Sequence, residues 1–243
     1  MPPTACRCAS CMPQAMRWQG TKPAEWEVTI AAGHVELTGN LSLPRGATGI
    51  VLFAHGSGSS RLSPRNVYVA RAIQARGIGT LLFDLLTRQE EEIDSYTRHY
   101  RFDISLLGKR LIEATEWLDG QPGMQSLRVG YFGASTGSAA ALIAAAALGQ
   151  RVSAVVSRGG RPDLTPAEDL AAVTAPTLLI VGGHDDIVID LNRQACAHLR
   201  SDKELTIVPG ASHLFEEPGT LDEVARLASE WFERHLHAHH TTA

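Results

Sequence analysis

Short apolar runs that alternate with stretches of helical periodicity constrain this chain more than any other feature. Ile50-Val51-Leu52-Phe53-Ala54 contains no polar side chain, as a strand covered on both faces requires. Similar strands are predicted at Ile78 to Phe83, Leu127 to Phe132, Val152 to Ser157, Thr177 to Val181 and Leu205 to Val208. Helical patterns lie between them. Ser63-Pro64 opens one, with serine as cap and proline in the first turn, and Gly77 stops it. A long amphipathic helix is predicted from about Ile93 to Leu118, because Leu107, Leu111, Ala114 and Leu118 share a face. The acidic run Glu90, Glu91 and Glu92 is read as its solvated entry. Further helices are expected from Thr136, from Asn192 to Leu199 and from Leu221 to Leu236. Such alternation implies a mostly parallel, doubly wound α/β sheet with helices on both faces. Upstream, Trp26, Val28 and Ile30 alternate with polar residues, a turn follows at Gly33, and Val35, Leu37, Leu41 and Leu43 resume the alternation. That pattern predicts an N-terminal antiparallel hairpin.

The 243 residues are 44% hydrophobic, enough for one substantial core, so a single domain over residues 23–237 is expected, with tails at 1–22 and 238–243. A net charge of −4 without a basic stripe leaves no nucleic-acid footprint. No stretch approaches the roughly 18 consecutive apolar residues of a membrane span, so a soluble, cytoplasmic chain is expected. Cys6, Cys8 and Cys11 could offer three thiolates to a metal, but no fourth ligand is near, and they are read as a reduced tail. Cys196 is expected to pack as a small apolar side chain. His235, His237, His239 and His240 are read as a solvated C-terminal end. No metal or other cofactor is expected, and the sequence carries no signal for an oligomeric state.

Gly133-Ala134-Ser135-Thr136-Gly137 matches the G-x-S-x-G pattern. It follows the strand Val129-Gly130-Tyr131-Phe132 and opens a helix of small residues, Ser138 to Ala147. A nucleophilic serine on a tight strand-to-helix turn needs that setting. A serine hydroxyl also needs a base, and the base needs an orienting acid. Asp185 in Gly182-Gly183-His184-Asp185-Asp186 follows the strand ending at Val181 and is the preferred acid, with Asp186 as fallback. His213 in Gly210-Ala211-Ser212-His213 follows the last strand and completes the order Ser, Asp, His, whereas His184 is read as a loop residue. Oxyanion donors are expected from the backbone N–H of Thr136 and from that of Ser57 in His55-Gly56-Ser57-Gly58, with His55 fixing the turn.

These segments, from about Trp26 to Leu236, resemble the dienelactone hydrolase family of the α/β-hydrolase superfamily. The resemblance implies an eight-stranded, mostly parallel sheet and hydrolysis of a small-molecule ester or lactone without a cofactor. The family's usual nucleophile is cysteine; this chain has Ser135, so a general carboxylesterase is the preferred reading. About fifteen residues separate Gly160 from Pro176, too few for a cap domain, which predicts a shallow pocket covered by loops. Arg61, Arg65, Arg158 and Arg161 lie in loops that could border it, either holding a substrate carboxylate or pairing with Asp84 and Asp163. The alternatives to a small-ester hydrolase are a lactone hydrolase that binds an anionic substrate and a non-catalytic receptor or interaction module on the same fold.

Overall fold

A computed structural model describes residues 24–237. The Cys6, Cys8 and Cys11 run, His239, His240 and the segments read as tails lie outside the described residues. The N-terminal hairpin is β1 (Ala24–Ala32) and β2 (Val35–Leu43), antiparallel in register from Ala24 opposite Leu43 to Ala32 opposite Val35. The later strands are β3 (Gly49–Ala54), β4 (Gly79–Phe83), β5 (Arg128–Ala134), β6 (Val152–Arg158), β7 (Thr177–Gly182) and β8 (Lys203–Val208). They form one eight-stranded sheet in the order β1-β2-β4-β3-β5-β6-β7-β8. The β1–β2 and β2–β4 pairings are antiparallel and every later one is parallel.

The continuous apolar runs have a simple cause. On β3, Ile50, Leu52 and Ala54 enter one core layer while Val51 and Phe53 enter the other. On β5, Val129 and Tyr131 divide from Phe132 and Ala134 in the same way. With successive side chains on opposite faces and both faces buried, no position tolerates a free polar group. One face is covered by α1 (Pro64–Ala75) and α7 (Thr220–Leu236), the other by α3 (Ile104–Asp119), α4 (Thr136–Leu148), α5 (Ala167–Ala172) and α6 (Asp186–His198). Ser63 caps α1 and Pro64 begins it.

The single long helix expected from Ile93 to Leu118 is instead two helices. The first, α2, runs Arg88–Thr97 and opens with a capping box between Thr87 and Glu90. Arg98 then turns left-handed at φ 56°, a 3-10 turn spans Tyr100–Phe102, and Asp103 caps α3 by accepting from the Leu106 N–H at 3.0 Å. The buried Asp94 carboxylate locks this break by accepting from the Arg101 N–H at 3.0 Å and pairing with the Arg101 side chain. The remaining helices fall where the periodicity puts them, although α6 starts at Asp186, six residues before the predicted start.

Between β6 and β7 stand only a 3-10 turn, Pro162–Leu164, and the short α5, so no cap domain occurs there. Cys196 is half-buried and packs against the core. His235 belongs to α7 and lies against Trp231, with ring centroids 4.7 Å apart, so it is part of the fold and not of a solvated end. No helix among the described residues is long and apolar enough to cross a membrane.

Candidate active site

The site forms where the sheet order reverses. β3 sends the chain to β4 on one side and is flanked by β5 on the other, which leaves a crevice at the carboxyl ends of β3 and β5. Ala54 pairs with Gly133 at this edge, so the His55-Gly56 turn and the Ser135 turn are neighbours.

Ser135 has φ 51° and ψ −122°, a strained conformation for a side chain with a Cβ. Three backbone bonds hold it there: its N–H donates to the Arg158 carbonyl, and its carbonyl accepts from the N–H groups of Ser138 and Arg161, each at 3.1 Å. Both glycines of the motif are required by close approach. A Cβ on Gly133 would lie 2.5 Å from the Ser138 Cα, and one on Gly137 would lie 2.2 Å from the Ala54 carbonyl oxygen. These contacts force strand, turn and helix together, so the hydroxyl is aimed by backbone and not by a flexible side chain.

The next strands deliver the other two groups in order. Asp185 ends the turn after β7 and His213 stands in the loop after β8. These loops are tied to each other: Gly183 N–H donates to the Val208 carbonyl at 2.8 Å and His184 N–H to the Ala211 carbonyl at 2.9 Å. Asp185 Oδ2 accepts from His213 Nδ1 at 2.6 Å, and His213 Nε2 faces Ser135 Oγ at 3.4 Å. With the Nδ1 proton committed to the carboxylate, Nε2 is left as an acceptor directed at the serine hydroxyl. Asp185 stands at the start of α6 without capping it, because its carboxylate is spent on His213; Asp186 is the first helical residue. A residue that sequence reasoning missed, Glu217, accepts from the Ser212 N–H at 2.9 Å and anchors the histidine loop. That bond, made across five residues, holds the Glu217 carboxyl below the usual range.

His55 is almost wholly buried and uses both ring nitrogens. Nδ1 donates to the Gly56 carbonyl at 3.0 Å, and Nε2 accepts from the Leu85 N–H at 3.1 Å. Desolvation lowers its pKa, so the neutral ring persists. The turn it fixes presents Ser57, whose N–H donates to Thr136 Oγ1 at 2.9 Å. The predicted donor therefore already holds an acceptor, an arrangement the motif alone does not reveal. The Thr136 N–H, at the first turn of α4, makes no hydrogen bond among the described residues.

Ser135 and His213 open into a cleft of about 850 Å³. Much of its lining is loop, as the missing cap suggested, but α2 and the turn after it form a further wall that contributes Glu91, Asp94 and Arg101. Partial desolvation, followed by Asp84 and Asp94, pushes the Glu91 carboxyl above its ordinary range. The signal for this wall was present in the acidic run after Thr87, but a solvated helix entry explained it equally well. Of the arginines considered, Arg158 and Arg65 line the cleft. Arg61 is drawn away by Asp84 and Glu27, and Arg161 makes two bonds of 2.8 and 2.7 Å to Asp163. Neither belongs to the lining. Among the described residues no cluster of His, Cys, Asp and Glu is arranged to hold a metal.

The sheet order, and the placing of Ser135, Asp185 and His213 on the loops after β5, β7 and β8, are those of the α/β-hydrolase fold class. A family model described as the dienelactone hydrolase family matches residues 38–240, and the chain belongs to that family. A crystal structure of a dienelactone hydrolase from Anabaena variabilis is similar at 61% identity and TM-score 0.87, covering 89% of this chain and 100% of that one. The esterase domain of a Rhodothermus marinus protein shares the fold at 20% identity and TM-score 0.69, over 88% of this chain and 100% of that one. A Mycobacterium tuberculosis protein named as a phosphoribosyl transferase is 57% identical over 210 residues, which are 86% of this chain and 46% of the relative. The chain thus spans about half the length of these curated relatives.

Proposed function

We propose that the protein hydrolyses small carboxylic esters through an acyl intermediate on Ser135. The observation that carries this reading is the continuous line Ser135 Oγ, His213 Nε2, His213 Nδ1, Asp185 Oδ2, built on a serine whose backbone is strained. His213 Nε2 takes the hydroxyl proton as Oγ bonds to the ester carbon, and the carbonyl electrons move onto oxygen. The Thr136 N–H, at the positive end of α4, receives that oxyanion, and the Ser57 N–H joins it as the Thr136 hydroxyl is displaced or shared. Collapse breaks the bond to the alcohol oxygen, which leaves with the proton from His213. Water, deprotonated by the same nitrogen, then attacks the acyl carbon and restores Ser135. Asp185 holds the imidazole orientation throughout.

A purely non-catalytic module would leave the strained Ser135 and the three backbone bonds that maintain it without a purpose. Lactones are cyclic esters and are open to the same attack. The transferase name of the mycobacterial relatives is not carried over, since the site assembled by these residues suits acyl transfer to water. A fluorophosphonate probe should label the protein at Ser135, and turnover of p-nitrophenyl acetate should be abolished in His213→Ala. Equal labelling of Ser135→Ala, or undiminished turnover in His213→Ala, defeats the reading.

A further inference from the structure

We infer that the Thr136 hydroxyl is a further catalytic group of the site: it accepts the Ser57 N–H and donates a hydrogen bond of its own to the oxyanion that forms when Ser135 attacks. The inference rests on the acyl-serine reading and specifies its oxyanion step: the hydroxyl is shared, not displaced.

Ser57 and Ser135 line the same cleft, and Thr136 joins them, covalently to one and by a hydrogen bond to the other. Backbone closes the space on both sides. A Cβ on Gly56 would lie 3.1 Å from the Ser135 Cβ, and one on Gly137 would lie 2.6 Å from the His55 carbonyl oxygen. Thr136 is thus clamped between two close approaches, and it is only 4% exposed. To displace Oγ1, a stiff, branched side chain would have to change rotamer inside this packing, whereas re-aiming the proton needs only rotation of the O–H.

The hydroxyl has that proton to offer. Thr136 Oγ1 accepts from the Ser57 N–H at 2.9 Å, and among the described residues it donates to nothing. Other buried threonines behave differently. Thr115, Thr177 and Thr220 donate to the carbonyls of Leu111, Ala175 and Glu217 at 2.9, 3.0 and 2.7 Å, and Thr165 reaches that of Ala139 at 3.5 Å. Thr80 accepts from Gln74 Nε2 without donating, but it stands within β4 and not beside the nucleophile. A buried hydroxyl whose donor role is vacant calls for an acceptor.

The neighbouring donors decide what that acceptor is. An oxyanion that uses both backbone N–H groups must stand about 2.7–3.1 Å from the nitrogens of Thr136 and Ser57. Oγ1 is three covalent bonds from the first nitrogen and hydrogen-bonded to the second. An oxygen in that position therefore comes within reach of Oγ1 as well. Two oxygens at such a distance repel unless one donates to the other, and Oγ1 holds the proton. The Ser57 bond helps, since a hydroxyl that accepts a hydrogen bond is polarised into a better donor. No covalent bond of Thr136 changes: its proton stays on Oγ1 while the negative charge sits on the substrate oxygen.

Thr136→Val removes the proton and keeps the branched shape. It should lower kcat for p-nitrophenyl acetate roughly a hundredfold with KM little changed, the loss expected for one oxyanion donor. Thr136→Ser keeps the hydroxyl and should stay within about threefold of wild type. A trifluoromethyl ketone, whose adduct with Ser135 carries a full oxyanion, supplies a readout that a structural role would not move. Its inhibition constant should rise in Thr136→Val by the factor by which kcat/KM falls. Should valine spoil folding, judged by melting temperature, Thr136→Cys carries the comparison, because its thiol is a weak donor, with a loss between those of serine and valine. Valine also frees the Ser57 N–H, so a kcat at or above wild type is the result expected of a hydroxyl that merely blocks that donor. That result overturns the inference, as does an equal loss in Thr136→Ser or an unmoved inhibition constant. A wild-type protein that neither turns over the ester nor binds the ketone defeats the acyl-serine reading along with it; wild-type turnover with an unaffected Thr136→Val defeats the hydroxyl's role alone.

Discussion

The two walls of the cleft are built by opposite means. On the Ser135 side, position comes from backbone: strand ends, close-packed glycines and three main-chain bonds around one strained residue. On the α2 side it comes from side chains: the Thr87 capping box, the Asp94 to Arg101 lock and the bond from Arg110 to Glu90. A wall made of backbone cannot adjust without disturbing the core, so it suits chemistry that needs fixed atoms. A wall made of caps and ion pairs can exchange residues one at a time, so it suits selection among substrates.

The sharpest way to break the comparison is at the carboxylate behind the histidine. Asp185→Asn should preserve the fold and reduce kcat/KM for p-nitrophenyl acetate on the order of 10⁴-fold, through loss of imidazole orientation; a modest loss would mean that the Ser135 wall is not the reacting one. Gly137→Ala comes next. Its Cβ meets main-chain oxygens of Ala54 and His55 that cannot rotate away, and chemical denaturation should show a loss of roughly 3 kcal/mol. Asp94→Asn should be milder, about 1–2 kcal/mol by the same measurement, because the start of α3 keeps its side-chain cap from Asp103. If Asp94→Asn proves as damaging as Gly137→Ala, the two walls are not different in kind.

The smallest effect concerns pH. The folded-state pKa of His55 is depressed, so the unfolded chain takes up a proton near its ordinary pKa of about 6.5 while the folded chain does not. Its contribution is complete above that pH and is lost as pH falls from there to the folded pKa, by up to about 1.4 kcal/mol per pH unit. Melting temperatures between pH 7.5 and 5.5 should show this fall, and His55→Gln should flatten it. A wild-type curve that is level through this window would place the proton elsewhere.

Much of the Ser135 wall was legible because each of its parts has a local signature. The β5 strand ends in the motif, small residues follow, and Asp185 and His213 appear after the later strands in the expected order. The division of Val51 and Phe53 from Leu52 and Ala54 onto opposite faces follows directly from the pleat. The α2 wall was not legible. Nothing local distinguishes Glu91 facing a cleft from Glu91 facing solvent, and the apolar stripe of α3 extended smoothly across a break that depends on Arg98 turning left-handed and on Asp94 meeting Arg101. Arg61, Arg65, Arg158 and Arg161 could be named as candidates but not separated, since their partners come from distant segments.

The amino-acid sequence by itself determined the doubly wound sheet, the place of the strained serine turn and the chain order of the three polar groups around it. These depend on periodicity, on glycine at close approaches and on the side of each strand that a loop leaves. Only the tertiary structure decided that Ser57 and Thr136 share a hydrogen bond, that α2 forms a further wall and that Arg158 lines the cleft. Each of those depends on which side chains meet across 79, 7 or more residues, a choice made by packing and electrostatics in three dimensions.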